Sequence, residues 1–212
     1  LEISEFAGMD AAALAPLMAA PDVTGLQGVM AAQGITLTSA SVTGGVLSYE
    51  AFLTSDPTGT QSVTGVEVLK VAGSGGDTFL VFEGMSIAAA IAAADAGDTI
   101  LLGAGTFSLT GELTISKGIT LAGAGEGVTI LDRDGSGYGI HVTTDDVTLS
   151  DFTLDASGLT TPGGYGIKVS PGGSATSLSG FTAQDVTVFG AARSEIDLNG
   201  VDDSSLIRVT AD

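Results

Sequence analysis

The chain has 212 residues, of which 25 are Asp or Glu and 6 are Lys or Arg, giving a formal net charge of −19. So few cations cannot neutralise a run of phosphates, which excludes nucleic-acid binding, and anionic membrane surfaces repel the chain for the same reason. There is no cysteine and one histidine, His141, so disulfides, thiolate nucleophiles, Cys-ligated metals and poly-His metal centres are excluded, while a 44% hydrophobic content supplies enough apolar surface for a core.

In chain order, Leu1-Glu2-Ile3-Ser4-Glu5 is acidic where a signal peptide needs a basic start, and the absence of an initial Met predicts a mature or excised piece. Met9 to Ala20 and Leu26 to Gln33 are rich in Ala, Leu and Met and are expected as short helices, the first limited by Pro16 and Pro21. Strands are expected at Val46 to Leu53, Val63 to Val71 and Thr78 to Phe82, with a loop at Thr54 to Thr60 around Asp56-Pro57. Residues 1–84 read as a small α+β cap or adaptor region. Met85 to Gly97 is Ala-rich with Ile87 and Ile91 four apart; Ser86 is the expected N-cap and Gly97 the left-handed stop. Such a helix would cover the open end of a repeat array. Asp95 and Asp98 interrupt the apolar stretch 85–107 too early for a membrane span.

From Thr110 onward the chain repeats. Gly137-Tyr138-Gly139-Ile140-His141-Val142 recurs 27 residues on as Gly164-Tyr165-Gly166-Ile167-Lys168-Val169, with related segments at Thr110 to Ile115 and Arg193 to Leu198. A second series aligns Thr148 to Thr153 with Ser177 to Thr182 at an offset of 29, and Thr120-Leu121 with Thr148-Leu149 at 28. Units this short cannot bury their own faces and must stack on their neighbours. The pattern predicts one coil of a parallel β-helix per unit over residues 85–212. Leu113, Ile140, Ile167 and Ile196 point inward, as do Ile115, Val142, Val169 and Leu198. Thr114, His141, Lys168 and Asp197 between them point outward. The last coil stops short of a full period, so association through the Ser205 to Thr210 edge, with itself or with neighbouring domains or subunits, is expected.

Ser86-Ile87 through Ile91, Gly97-Asp98-Thr99-Ile100, Gly105-Thr106-Phe107, Leu113-Thr114-Ile115, Lys117 to Leu121 and Gly123 resemble the start of pectate-lyase-like right-handed parallel β-helix proteins. The resemblance covers about Met85 to Asp212. It implies the fold; its members include lyases, epimerases, hydrolases, adhesins and inert spacers. Ala72-Gly73-Ser74-Gly75-Gly76-Asp77-Thr78-Phe79-Leu80 resembles the Gly-rich Ca²⁺-binding nonapeptide of RTX proteins, with Ala72 in place of the first Gly. This places the parent among large secreted, extracellular bacterial surface proteins. It also makes Asp77 a candidate cation ligand, although such sites need stacked copies and the single copy here reads more readily as a Gly-rich turn between Val71 and Phe79.

Enzymes of that superfamily work on an outer sheet face, where a lyase needs a base and a cation to neutralise a uronate. The outward row supplies His141, Lys168 and Asp197 as candidate catalytic groups, with Tyr138 and Tyr165 as candidate sugar-stacking rings and Asp134 close in sequence. Against catalysis stand the ordinary need for polar outward positions, the scatter of Arg133, Arg193 and Arg208, and repulsion of acidic polysaccharides by the net charge. The pairs Asp132 and Asp134, Asp145 and Asp146, and Asp202 and Asp203 fall at expected turns. With Asp77, the last two pairs are the candidate Ca²⁺ ligands, which predicts modest stabilisation by calcium. The expected function is therefore a non-catalytic structural or adhesive β-helix: a rod for surface-layer, adhesin or filament assembly. The competing readings are a polysaccharide lyase or epimerase, and a carbohydrate-binding module, on the His141/Lys168 face.

Overall fold

The computed structural model describes Gln27, Ala31 and residues 35–43, 46–53, 56–66, 69–71, 73, 75–173 and 175–212. The helices expected at 9–20 and 26–33 fall outside these residues, apart from Gln27 and Ala31, which are helical. β1 (Ile35–Thr43), β2 (Val46–Leu53) and β3 (Asp56–Val66) form an antiparallel meander in that order. The expected strand at 46–53 is β2. The loop expected at 54–60 is corrected, because 56–60 belong to β3, an edge strand that can carry Pro57 without losing a ladder bond.

The rest is a right-handed parallel β-helix of about six turns, the hand that parallel crossovers take. Three rows of strands line it. The first stacks β5 (Thr78–Val81), β6 (Thr99–Leu102), β9 (Thr120–Ala122), the start of β11 (Thr148–Val169), β13 (Thr182–Phe189) and β16 (Ser205–Ala211). The second begins at β7 (Gly105–Leu109) and runs through the start of β10 (Thr129–Val142) and the middle of β11. The third joins β8 (Leu113–Ile115), the end of β10, the end of β11 and β14 (Ser194–Leu198). β4 (Leu69–Val71) pairs antiparallel to β5, and β12 (Leu178–Ser179) pairs with β15 (Val201–Asp202) in a small ladder.

Each row buries apolar ladders, and the third buries two, the second being Ile115–Val142–Val169. Phe79, Ile100, Leu121, Leu149 and Ala183 are stacked and buried in the first, and Phe107, Leu131, Leu154 and Val188 in the second. Leu113, Ile140 and Ile167 are buried in the third, with Ile196 packed against them at the last coil. Identical places thus carry apolar side chains rung after rung, so each coil buries its interior against the next. On the last rung, Leu206 and Ile207 are exposed.

The expected third-row register holds at every rung, from Leu113–Ile140–Ile167–Ile196 to Thr114–His141–Lys168–Asp197. The second series holds at its first step, where Thr120-Leu121 pairs with Thr148-Leu149, and fails at the next. Thr148 pairs with Thr182, 34 residues on, and not with Ser177. The coil carries a long corner from Ser170 to Phe181, and Leu178-Ser179 within it pairs with Val201-Asp202 instead.

The expected cap is helix α1 (Ile87–Ala93). Ser86 is its N-cap, accepting from the Ala89 N–H, and Ile87, Ala90 and Ile91 are buried on the first coil; the stop expected at Gly97 is corrected, because the helix ends at an extended Ala94 whose N–H bonds the Ala90 carbonyl, and Gly97 turns the chain only later. Lys117, from the next coil, closes the other end: its Nζ donates to the carbonyls of Ile91, Ala92 (2.9 Å) and Ala94. A cation on the carbonyl end of a helix satisfies orphan acceptors and opposes the dipole.

Candidate functional site

The outward side of the third row brings Lys168 and Arg193 to one ring, that of Tyr165. His141 lies between Thr114 and Lys168, and Lys168 next to Asp197, on successive rungs. Lys168 Nζ is 2.6 Å from Asp197 Oδ2 and 5.2 Å from the Tyr165 ring centroid. Tyr138 and Tyr165 occupy equivalent rungs and meet edge to face, their centroids 5.7 Å apart. The Arg193 guanidinium, exposed at the next rung, lies 4.9 Å from the Tyr165 centroid. Arg133 is buried, with Nε donating to the Tyr138 carbonyl (3.1 Å) and Nη2 to the Ser136 carbonyl (2.7 Å). It holds the turn that presents the tyrosine. The three arginines form no strip: Arg133 is buried under the turn, and Arg193 stands over Tyr165 on the surface. Arg208 lies elsewhere, paired with Asp185, whose carboxyl it holds below the usual range.

His141 is bonded on both ring nitrogens. Nδ1 is 3.1 Å from Glu112 Oε1, and Nε2 is 3.1 Å from Ser170 Oγ. Thr114 Oγ1 donates to the same Glu112 oxygen (3.2 Å), and the Tyr138 ring meets the imidazole edge-on at 4.8 Å. The ring is thus held in position and orientation by groups from three coils. Glu112, Ser170 and the ring-stacked Arg193 are absent from the sequence-derived candidates. Glu112 and Ser170 each stand 29 residues from His141, so they lie on a diagonal that a comparison of like positions passes over.

The acidic candidates are used structurally. Asp77 accepts from Lys70 Nζ (2.8 Å) and the Gly73 N–H (3.2 Å), which hold its carboxyl below the usual range. Asp145 Oδ1 takes the Ser179 N–H (2.7 Å), tying two coils together. Asp146 and Asp203 adopt φ of 56° and 50°, a left-handed turn that a short polar side chain tolerates. Ser179 pairs with Asp202, so the Asp145-Asp146 and Asp202-Asp203 pairs are separated by the Ser179-Gly180 rung, two coils or about 9.6 Å apart. No group of three or more His, Asp or Glu side chains suited to a metal occurs among the described residues.

Asp132 faces Asp155 across the ladder, with Asp134 nearby. Desolvation first, then the charges of Asp134 and Asp155, push its carboxyl above the usual range. A raised folded-state value means that the ionised form costs stability above the unfolded value of about 3.9, and that the cost is relieved as pH falls. Asp132→Asn is therefore expected to raise the melting midpoint at pH 7, by roughly 0.5 kcal/mol for a directly opposed like-charge pair. The gain should shrink towards pH 4 and in high salt, as thermal melts across that range will show.

No family model matches the chain, and no curated protein matches it. Two solved structures resemble it, both of a PL6 family alginate lyase, AlyGC. The R241A mutant aligns at 17% identity over 58% of this chain with a TM-score of 0.47, and the other structure at 17% identity over 57% with a TM-score of 0.37. In both cases the chain spans 18% of the lyase's length.

Proposed function

We propose that the protein is a polysaccharide-engaging β-helix domain of an extracellular bacterial surface protein, which takes a glycan chain along the outer side of the third strand row. The observation that carries this is the convergence of Tyr138, Tyr165, Lys168 and Arg193 on neighbouring rungs of a chain whose net charge is −19. The Tyr138 and Tyr165 rings on neighbouring rungs offer apolar contact to a sugar, and the adjacent cation and carboxylate offer hydrogen bonds to hydroxyls. The overall negative field favours neutral glycans over polyuronates. Uronate elimination by Lys168 would need a free amine as base, whereas its Nζ is held by Asp197. The same internal pairing supports a second reading, a rod with no ligand.

The test is calorimetric titration with a panel of neutral and acidic polysaccharides, using the parent and Tyr165→Ala. The expected result is binding to a neutral glycan that weakens at least tenfold in the variant, about 1.4 kcal/mol. Absence of binding across the panel, or equal binding by both proteins, would overturn it in favour of the rod.

A further inference from the structure

We propose that Ser170, His141 and Glu112 form an acyl-transfer relay, and that the outer face hydrolyses O-acyl esters carried on a glycan. The sugar part of the substrate rests on the glycan-binding reading above; the relay does not.

The three side chains come from three successive coils. Glu112 immediately precedes β8, His141 lies near the end of β10 and Ser170 immediately follows β11. A carboxylate can only accept, so in the neutral ring the proton sits on Nδ1 and is donated to Glu112 Oε1 across 3.1 Å. That leaves the lone pair on Nε2, which faces Ser170 Oγ at 3.1 Å. Serine, imidazole and carboxylate thus stand in the order and at the distances that a hydroxyl nucleophile, a general base and an orienting acid require. Lone surface contacts rarely align in this way: Glu112 is fixed by Thr114, the imidazole by the Tyr138 ring, and Ser170 by its N–H bond to the Val142 carbonyl. All three groups keep solvent access, since Ser170 and His141 are half-buried and Glu112 is exposed.

Ser170 Oγ attacks the acyl carbonyl carbon while its proton passes to His141 Nε2. The C–O bond to the sugar then breaks, and the departing sugar oxygen takes the proton from Nε2. Water next attacks the Ser170 ester and gives its proton to Nε2; the serine oxygen leaves and recovers it, releasing the carboxylic acid. Glu112 stays ionised and steadies the imidazolium in both halves. The oxyanion needs a donor beside the serine. The bonds Thr143 N–H to Ile115, Ser170 N–H to Val142 and Asn199 N–H to Val169 repeat one register, so Asn199 is the next residue along the serine's own row. Its amide is the side chain assigned to that role.

The test uses the full chain with p-nitrophenyl acetate, a fluorophosphonate probe read by peptide mass spectrometry, and an acetylated neutral glycan assayed for acetate release. The relay predicts labelling of Ser170, loss of labelling and of esterase activity in Ser170→Ala, and retention of both in Ser157→Ala. Glu112→Gln should lower the esterase rate by 100-fold or more, because it removes the charge that steadies the imidazolium and lets an amide N–H select the wrong ring tautomer. Asn199→Ala should lower it by about 100-fold. Circular-dichroism melts of the Ser170 and Asn199 variants, both changed at accessible positions, confirm that the fold is kept. Hydrolysis and labelling that are equal in the parent and Ser170→Ala overturn the relay. Ser170-dependent cleavage of p-nitrophenyl acetate without acetate release from the glycan upholds the relay and overturns the sugar-ester substrate. Glycan binding without any Ser170-dependent chemistry does the reverse, upholding the binding face and overturning the relay.

Discussion

Replacing Ile140 with aspartate is expected to leave no folded solenoid. Ile140 is fully buried in the middle of the third row, paired with Leu113 on one side and Ile167 on the other. Its neighbours in the interior are aliphatic, so a carboxylate there would meet no donor and no counter-charge. An unpaired buried charge costs several kcal/mol, and protonating it still buries a carboxyl group without a partner. Whole domains are stable by only about 5–15 kcal/mol. Because each coil is held by the coils beside it, failure at a central rung also withdraws support from both flanks. Far-UV circular dichroism of purified Ile140→Asp should lack the cooperative β-sheet transition of the parent. A variant that melts within a few degrees of the parent would show that the inward and outward positions of this row are assigned the wrong way round.

Phe152→Ala should fold but lose much of its stability. Phe152 is among the largest fully buried side chains, on the first part of β11 opposite Val186. The chain bends beside it: Asp151, Asp185 and, one rung on, Arg208 all have positive φ, at 60°, 51° and 49°. The backbone at this bend cannot easily collapse into the space left by a missing ring, because successive coils share the same kink. Truncation of a buried phenylalanine costs about 3–5 kcal/mol when the cavity persists. For a chain of this size that corresponds to a fall of roughly 6–20 °C in the melting midpoint. Differential scanning calorimetry measures it; a fall of under 2 °C would mean that the site relaxes or is not tightly packed.

The interior was legible because burial repeats on the chain's own period. Ile140 and Ile167 carry the same burden at the same phase, and the helix at Ile87–Ala93 announces itself through Ser86 and the Ile87–Ile91 spacing, while its end at Ala94 carries no glycine signal. The same logic misled at the long corner. Leu178-Ser179-Gly180-Phe181 mimics Leu149-Ser150-Asp151-Phe152, yet hydrogen bonding assigns the β11 place to Thr182. Letters alone do not reveal how many residues a corner absorbs. The site was half legible. His141, Lys168, Asp197, Tyr138 and Tyr165 share phases and were read from the columns. Glu112 and Ser170 approach His141 across phases, and no periodic comparison brings them together. Arg133 was hidden for another reason: it is buried because backbone carbonyls satisfy it, and carbonyls leave no trace in a sequence.

The corner between β11 and β13 runs from Ser170 to Phe181, whereas the corner before it, between β10 and β11, needs only Thr143 to Val147. The rows on either side remain in register despite the difference. Chain length between Pro171 and Ser177 is therefore decoupled from the scaffold: residues can be gained or lost there while Leu178-Ser179 keeps its ladder to Val201-Asp202 and Phe181 stays in the core. Since Ser170 is the first residue of that corner, the vertex is a natural place for lineages to vary the wall beside the serine, and for engineers to graft a foreign loop while keeping the rod intact.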